Sequence, residues 1–266
     1  MISEQPLVSY IIPCFNQTRM LYEAVSSVVL SYSGPKEILV INDCSTEPGC
    51  ETRLKELSDF FPEVHVLHNK ENKGLSATRN VGIAASQGEF IQLLDSDDFL
   101  VPNKIDYQLD HFKLVDDLSI SVTDYLLCDE ELSFFYASEP CLGSYALELK
   151  DFLYKWERGL AIPIHCGLFC KDVFTEFRFD ETLSGKEDWV FWCQQAYQKK
   201  RIAYLNTVGA IYRQHEKAMT KADPEKMGRS WLKAASLINE LVGQTEPDFL
   251  SDAQAWFNQF YRKGNK

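Results

Sequence analysis

The chain has no C-x-x-C pair, no excess of positive charge, no glycine-rich loop after its first strand and no apolar run long enough to span a bilayer. Each absence closes a class of function. The eight cysteines (Cys14, Cys44, Cys50, Cys128, Cys141, Cys166, Cys170, Cys193) lack the paired spacing of a zinc site, and no secretory signal precedes Cys14. They read as reduced, mostly buried thiols of a cytoplasmic protein. With 27 lysines and arginines against 39 acids, the net charge of -12 argues against a general electrostatic grip on nucleic acid or anionic lipid. An anionic substrate therefore needs a local cation, either a metal ion or a few well-placed basic residues. The absent glycine-rich loop disfavours a nucleotidyltransferase-like enzyme, and the absent spanning run leaves only docking at a membrane surface. At 266 residues and 45% hydrophobic, the chain is long and apolar enough for a sizeable core.

What is present is alternation. An apolar strand over residues 7–12 stops at Pro13, and a helix from Met20 to Tyr32 carries Leu21, Ala24, Val25, Val28 and Val29 on one face. A second strand at 37–41, a helix from Arg53 to Phe61 and a short strand at Val64–His68 follow. Ser76 is placed to cap a helix containing Ala77, Val81, Ala84 and Ala85; Gly88 ends it, and Glu89–Leu94 is a buried strand. This pattern predicts a parallel sheet covered by helices on both faces. Beyond a helix from Pro102 to Leu114, the apolar segments Leu118–Cys128 and Leu132–Tyr136 predict a mixed or antiparallel extension. A helix at Leu147–Trp156 and an irregular strand at Ile162–Lys171 come next. Ser184-Gly185-Lys186-Glu187 matches a capping box opening a helix, two strands are expected at Arg201–Leu205 and Gly209–Gln214, and two helices fill the chain from Pro224.

The residues that point to chemistry sit at strand ends, where open α/β sheets place their sites. Asp95-Ser96-Asp97-Asp98 puts three carboxylates in four positions. Asp95 and Asp97 suit one hard cation held beside phosphates; they equally suit a turn that caps the following helix. Asp43 ends another strand and offers an acceptor for the imide N–H of a uracil-type base, with Ser45 beside it; a turn needs the same residues. Arg79 suits a nucleotide edge or phosphate, or an ion-paired helix face. Asp188 is a base candidate on a helix whose Glu187 serves the capping box. Arg213 and His215 share a strand face and suit a diphosphate and its metal.

Taken in order, Pro13-x-Phe15-Asn16, Asn42-Asp43-Cys44-Ser45, Asn72-Lys73-Gly74 with Arg79-Asn80, Asp95-Ser96-Asp97-Asp98, Glu187-Asp188 and Arg213-Gln214-His215 resemble the family 2 glycosyltransferases with the GT-A fold. The resemblance covers residues 6–220. It implies an α/β, Rossmann-like, mostly parallel sheet flanked by helices, with a smaller mixed acceptor-side portion and C-terminal helices. The domains it implies are 1–222, made of a nucleotide-binding half (1–101) and an acceptor-binding half (102–222), with a helical appendage at 223–266. It implies an inverting transferase using a nucleotide sugar, most often a UDP-sugar, with Mn²⁺ or Mg²⁺. Asp188 resembles the catalytic base, Asp43 the uracil contact, Asp95 the ribose or sugar contact and Asp97 the metal ligand. Arg213 and His215 resemble the diphosphate pair, His215 as a further ligand, while Pro13, Phe15, Asn16, Ser45, Asn72, Gly74, Arg79 and Ser96 complete the donor site. Asn42 stands where many relatives carry Asp. The expected acceptor is a carbohydrate or lipid-linked glycan in polysaccharide or glycoconjugate assembly. Trp256, Phe257, Phe260 and Tyr261 beside Arg262, Lys263 and Lys266 suit a peripheral membrane contact, or a core-packing or homodimer-forming helix. A transferase-like binding module without turnover is the remaining alternative.

Overall fold

The computed structural model describes residues 3, 5–139, 141–216 and 223–260. Its organising strand is β1 (Val8–Cys14), all seven residues of which are buried. β1 pairs in parallel with β2 (Lys36–Asn42) on one side and β4 (Phe90–Leu93) on the other, and β2 pairs in parallel with β3 (Val64–His68). The strand runs past Pro13 because pairing with β4 stops at Ile11 and Leu93, so the proline interrupts no ladder on that side.

Alternation along these strands separates two cores. Val8, Tyr10, Ile12 and Cys14 pack with Ile38 and Val40 against α1 (Thr18–Ser31), α2 (Cys50–Phe60) and α4 (Lys104–Leu114). Ile11, Leu39 and Ile41 face the other way, toward α3 (Leu75–Ala85) and the C-terminal half of the chain. The expected three-layer α/β arrangement is therefore present, with helices on both faces of the sheet.

α3 approaches its strands closely because Gly82 faces them. A methyl group there would lie 2.4 Å from Cγ2 of Ile11 and 2.8 Å from Cδ1 of Ile41. Gly82→Ala gains about 0.5–1 kcal/mol of helix propensity, but overpacking costs about 1–3 kcal/mol. The clash dominates, so the variant should melt below wild type in thermal denaturation; an equal or higher midpoint refutes this packing account.

With β5 (Phe99–Leu100), β6 (Leu118–Asp129), β8 (Gly167–Cys170) and β9 (Arg201–Gln214), the mixed portion completes a sheet of nine strands among the described residues, in the order β3-β2-β1-β4-β8-β6-β9-β5, with β7 (Phe135–Ala137) on β6. β8 (Gly167–Cys170) runs antiparallel to both β4 and β6 (Leu118–Asp129). The two strands expected at 201–205 and 209–214 are one, β9 (Arg201–Gln214), parallel to β6. Leu205 pairs Thr123 and Val208 pairs Asp124, so Asn206 and Thr207 form a bulge rather than a break. β5 (Phe99–Leu100) pairs β9 and brings its end beside the acidic turn after β4.

α5 (Leu149–Tyr154) and α6 (Glu187–Tyr197) cover this half, followed by α7 (Pro224–Val242) and α8 (Phe249–Phe260). Asp223 caps α7 by accepting from the Lys226 N–H, with Pro224 in the first turn. The last two helices share the core of the sheet's second face: Trp231, Ala234, Ala235, Ile238, Val242, Phe249 and Ala253 are buried with Trp189. Trp256 and Phe257 stack on Trp231 and are partly buried against the core, while Phe260 stays 54% exposed. Tyr261, Arg262, Lys263 and Lys266 lie outside the described residues. Among the described residues no helix is long and apolar enough to cross a membrane.

Candidate functional site

β1, β2 and β4 all end toward one cavity of about 660 Å³, within the usual size of a small-ligand site. Pro13, Phe15, Asp43, Asn72, Gly74, Arg79, Asp95, Ser96, Asp97, Asp188 and Arg213, all singled out in the sequence, line it. Asn16, Ser45 and His215 do not. Asn16 instead takes a left-handed backbone and staples two loops: its side chain accepts from the Thr46 and Glu47 N–H groups, and its own N–H donates to Ser45 Oγ.

The acidic stretch after β4 is a turn closed by the Asp98 N–H donating to the Asp95 carbonyl. It does not cap α4, whose N-terminal neighbour is Asn103 in left-handed conformation. The turn points all three carboxylates inward. Asp97 Oδ2 lies 2.9 Å from His215 Nε2 and accepts from Gln17 Nε2 at 2.9 Å, while Ser96 Oγ donates to Gln17 Oε1. His215 is buried beside Asp97, and its Nδ1 makes no hydrogen bond among the described residues. Asp98 accepts from the Arg213 N–H, and burial, reinforced by Asp97 and Asp95, pushes its carboxyl well above the ordinary range. Burial also raises Asp95, against the pull of Arg79.

Asp43 organises the loop before α3. Oδ1 accepts from Asn69 Nδ2 and the Lys73 N–H, Oδ2 accepts from the Gly74 N–H, and Asn72 Nδ2 donates to the Asp43 carbonyl. Gly74 holds φ +84°, a conformation that favours glycine, and begins α3; Ser76 lies inside the helix, buried, and is not its cap. Oδ2 of Asp43 keeps a lone pair for the cavity.

Arg79 is 2% exposed and is neither a solvated helix residue nor a free cation. Its guanidinium donates to Asp95 Oδ1 at 2.7 Å and to Glu187 Oε1 at 2.6 Å, and lies over the Phe179 ring. Glu187 is thereby taken from the expected capping box: α6 starts at Glu187 behind Gly185 (φ +154°) and Lys186 (φ +67°), and Ser184 Oγ pairs with Ser230 instead. This left-handed turn delivers Asp188 to the cavity wall. Burial, then the neighbouring Glu187 charge, pushes the Asp188 carboxyl up to about 7, although Lys186 and the Trp189 N–H oppose this. A helix N-terminus alone would have lowered it; desolvation dominates.

Arg213 is also engaged, donating to Glu23 Oε2 at 2.6 Å and lying 4.4 Å above the Phe99 ring. Reasoning from sequence missed Gln17, Glu23 and Asn69 as parts of this site, gave Asp98 no role of its own within the acidic stretch, and set His165 only in the acceptor region between Tyr136 and Gly185. His165 lines the cavity on a short turn at Ile164–Cys166 before β8. Burial, reinforced by the Lys104 ammonium, pushes its imidazole down to about 3, so it stays neutral and offers a lone pair.

An open α/β sheet whose acidic strand ends face a second acidic pair across one cavity is the GT-A arrangement expected from the motifs, and solved structures of that fold superpose on it. The chain belongs to glycosyl transferase family 2, whose family model matches residues 9–170. Among curated relatives it is 33% identical over 132 residues to the putative teichuronic acid biosynthesis glycosyltransferase of Bacillus subtilis, covering 49% of this chain and 51% of that protein. The chain spans about half or less of the length of the first curated relatives it matches. The S. aureus TarS 1-349 structure with UDP-GlcNAc superposes with TM-score 0.68 at 18% identity, covering 96% of this chain and 74% of that one. Mannosyltransferase PcManGT of Pyrobaculum calidifontis, in complex with GDP-Man and Mn²⁺, superposes with TM-score 0.64 at 13% identity, covering 95% and 74%.

Proposed function

We propose that this chain is an inverting glycosyltransferase that moves a sugar from a UDP-sugar to a hydroxyl of a carbohydrate or lipid-linked glycan acceptor, in polysaccharide or glycoconjugate assembly. The observation that carries this reading is the opposition, across one cavity, of the strand-end carboxylates and an Asp188 carboxyl raised to about 7. Residues 1–101 form the nucleotide half, residues 102–222 the acceptor half, and the helices from residue 223 support the latter.

In this mechanism Asp43 accepts the uracil imide N–H and Phe15 flanks the nucleotide. Arg79 holds Asp95 and Glu187 in place, and Asp95 meets the ribose or sugar. The acceptor hydroxyl gives its proton to Asp188 as its oxygen bonds to the anomeric carbon. The bond from that carbon to the diphosphate breaks on the opposite face, so configuration inverts and the nucleoside diphosphate leaves with the electron pair. Arg213 meets the growing negative charge by exchanging Glu23 for a phosphate oxygen. A carboxylate and an imidazole converging within 2.9 Å fit a divalent cation. Asp97 and His215 would hold it, and when bound it supplies further positive charge to the leaving group.

Calorimetric titration with UDP, GDP and dTDP, each with and without Mn²⁺, tests the donor site. UDP should bind best, require the metal and fail with Asp97→Ala. Absence of binding by every nucleotide returns the acidic stretch to a structural turn and the chain to a binding module.

A further inference from the structure

Two buried residues of the cavity, Asp98 and His165, have no part in the mechanism above. His165 is 1% exposed, and neither ring nitrogen makes a hydrogen bond among the described residues; Nδ1 lies 3.1 Å from Asp98 Oδ2 without the alignment of one. A core histidine that merely packs finds partners for its nitrogens with few exceptions. This one is aimed at carboxylates instead. Ligand atoms of Asp95, Asp98 and His165 all lie within 4.8 Å of one another.

We propose that Asp95, Asp98 and His165 form a Mn²⁺ site that fills before any nucleotide arrives. Two donors at right angles around an octahedral ion about 2.1 Å away lie about 3 Å apart, which is the spacing of Nδ1 and Oδ2 here. Asp95 keeps Oδ2 for the ion while Oδ1 takes Arg79, and Asp98 keeps Oδ2 while Oδ1 takes the Arg213 N–H. Charge argues the same way. Asp95, Asp97 and Asp98 crowd one turn, while the two nearby guanidiniums are shared with Glu187 and Glu23. The imidazole tells against Mg²⁺ and Ca²⁺, which prefer oxygen-only shells, while the two carboxylates suit Mn²⁺, which tolerates one nitrogen among oxygens.

The supporting shell of a metal ligand is present as well. The His165 ring stacks on Tyr212 at 12°. The turn that carries it is fixed from behind: Gln92 Nε2 donates to the His165 carbonyl and Gln108 Nε2 to the Cys166 carbonyl. Both amides are oriented by the buried Lys104, whose Nζ donates to Gln92 Oε1 and Gln108 Oε1. Lys104 has no carboxylate partner among the described residues, and this network explains its burial: through the two amides it fixes the turn that holds the ring.

The proposal deepens the donor-site reading and rests on it for the use of the ion, not for its binding. Mn²⁺ is therefore titrated into nucleotide-free protein and the free ion followed by electron paramagnetic resonance. One Mn²⁺ per chain should bind, and equal Mg²⁺ or Ca²⁺ should fail to displace it. His165→Gln should weaken binding at least about tenfold, whereas Asp97→Ala, which removes a neighbouring charge but no ligand, should weaken it less than His165→Gln does while abolishing UDP binding. Spin-echo modulation of the wild-type Mn²⁺ complex should show imidazole nitrogen coupling that persists in His215→Gln, a readout independent of how the His165 variant folds. No Mn²⁺ uptake without nucleotide, an affinity indifferent to His165→Gln, or a spectrum without nitrogen coupling overturns the proposal. If UDP with Mn²⁺ binds wild type in that case, the donor reading survives alone; if Mn²⁺ binds as described and no nucleotide does, the donor reading fails and the metal site stands.

Discussion

Asp188→Asn should lower transfer by about 10²–10⁴-fold, the usual contribution of a positioned general base, and leave UDP binding intact. The substitution keeps the shape, and the side-chain oxygen still accepts the Trp189 N–H as Asp188 Oδ1 does. What it removes is the lone pair that takes the acceptor's proton in the proposed mechanism. The pH dependence separates this role from a structural one. The active form is the carboxylate, so with the Asp188 carboxyl raised to about 7, wild-type turnover should climb about tenfold per pH unit below 7 and level off above it. The residual activity of the variant should lack that limb. Stability should move as well. The folded carboxyl binds its proton more tightly than the unfolded one, whose ordinary value is 3.8, so ionising it costs stability as pH rises from about 4 through 7. Relative to wild type, Asp188→Asn should therefore melt higher at pH 8 than at pH 5. A variant with near wild-type transfer, or one whose pH profile keeps the limb at 7, removes Asp188 from the mechanism.

The parts of this arrangement that were legible in the sequence are those written in short-range pattern. β1 to β4 announce themselves by apolar runs broken at Pro13, Asn42 and Asp95, and alternation along β1 assigns its residues to two cores. Where local pattern and tertiary contact disagreed, contact won. Ser184-x-x-Glu187 has the letters of a capping box, yet Glu187 is claimed by a guanidinium 108 residues earlier in the chain. Asn206-Thr207 has the polarity of a turn, but pairing with β6 resumes at Val208 and holds the strand together across a bulge. The spacing of Asp95 and Asp97 draws attention away from Asp98, which the tight turn carries to the same cavity. His165 sits in the region expected to meet the acceptor, but no pattern gave it a role: its meaning lies in what its ring nitrogens do not bond, which only packing reveals. Glu23 is one acid on an amphipathic helix, and nothing short of the fold tells it from its solvated neighbours.

Arg79→Met should cost about 3–5 kcal/mol, the range for deleting one partner of a buried ion pair. At about 2–4 °C per kcal/mol for a chain of roughly this size, the melting midpoint should fall by about 10 °C. Methionine fills most of the volume, so the loss is electrostatic rather than a cavity. It is large because Arg79 serves two carboxylates at once: removing it strands Glu187, whose side chain is 6% exposed, and leaves Asp95 facing Asp97 without its counter-charge. Arg79→Lys should fall between, since one ammonium cannot fork to both acids. The double variant Arg79→Met with Glu187→Gln should recover part of the loss, because an amide stranded in the same place costs less than a carboxylate. Chemical denaturation across this cycle measures the coupling directly. If Arg79 were instead a donor contact, Arg79→Met would weaken UDP binding while leaving the denaturation midpoint in place. The bridge joins the strand-end carboxylate Asp95 to the helix that carries Asp188, so under the proposed mechanism its loss should also loosen the distance across which the sugar must move. The fall in transfer at saturating donor should then exceed the fall in UDP affinity.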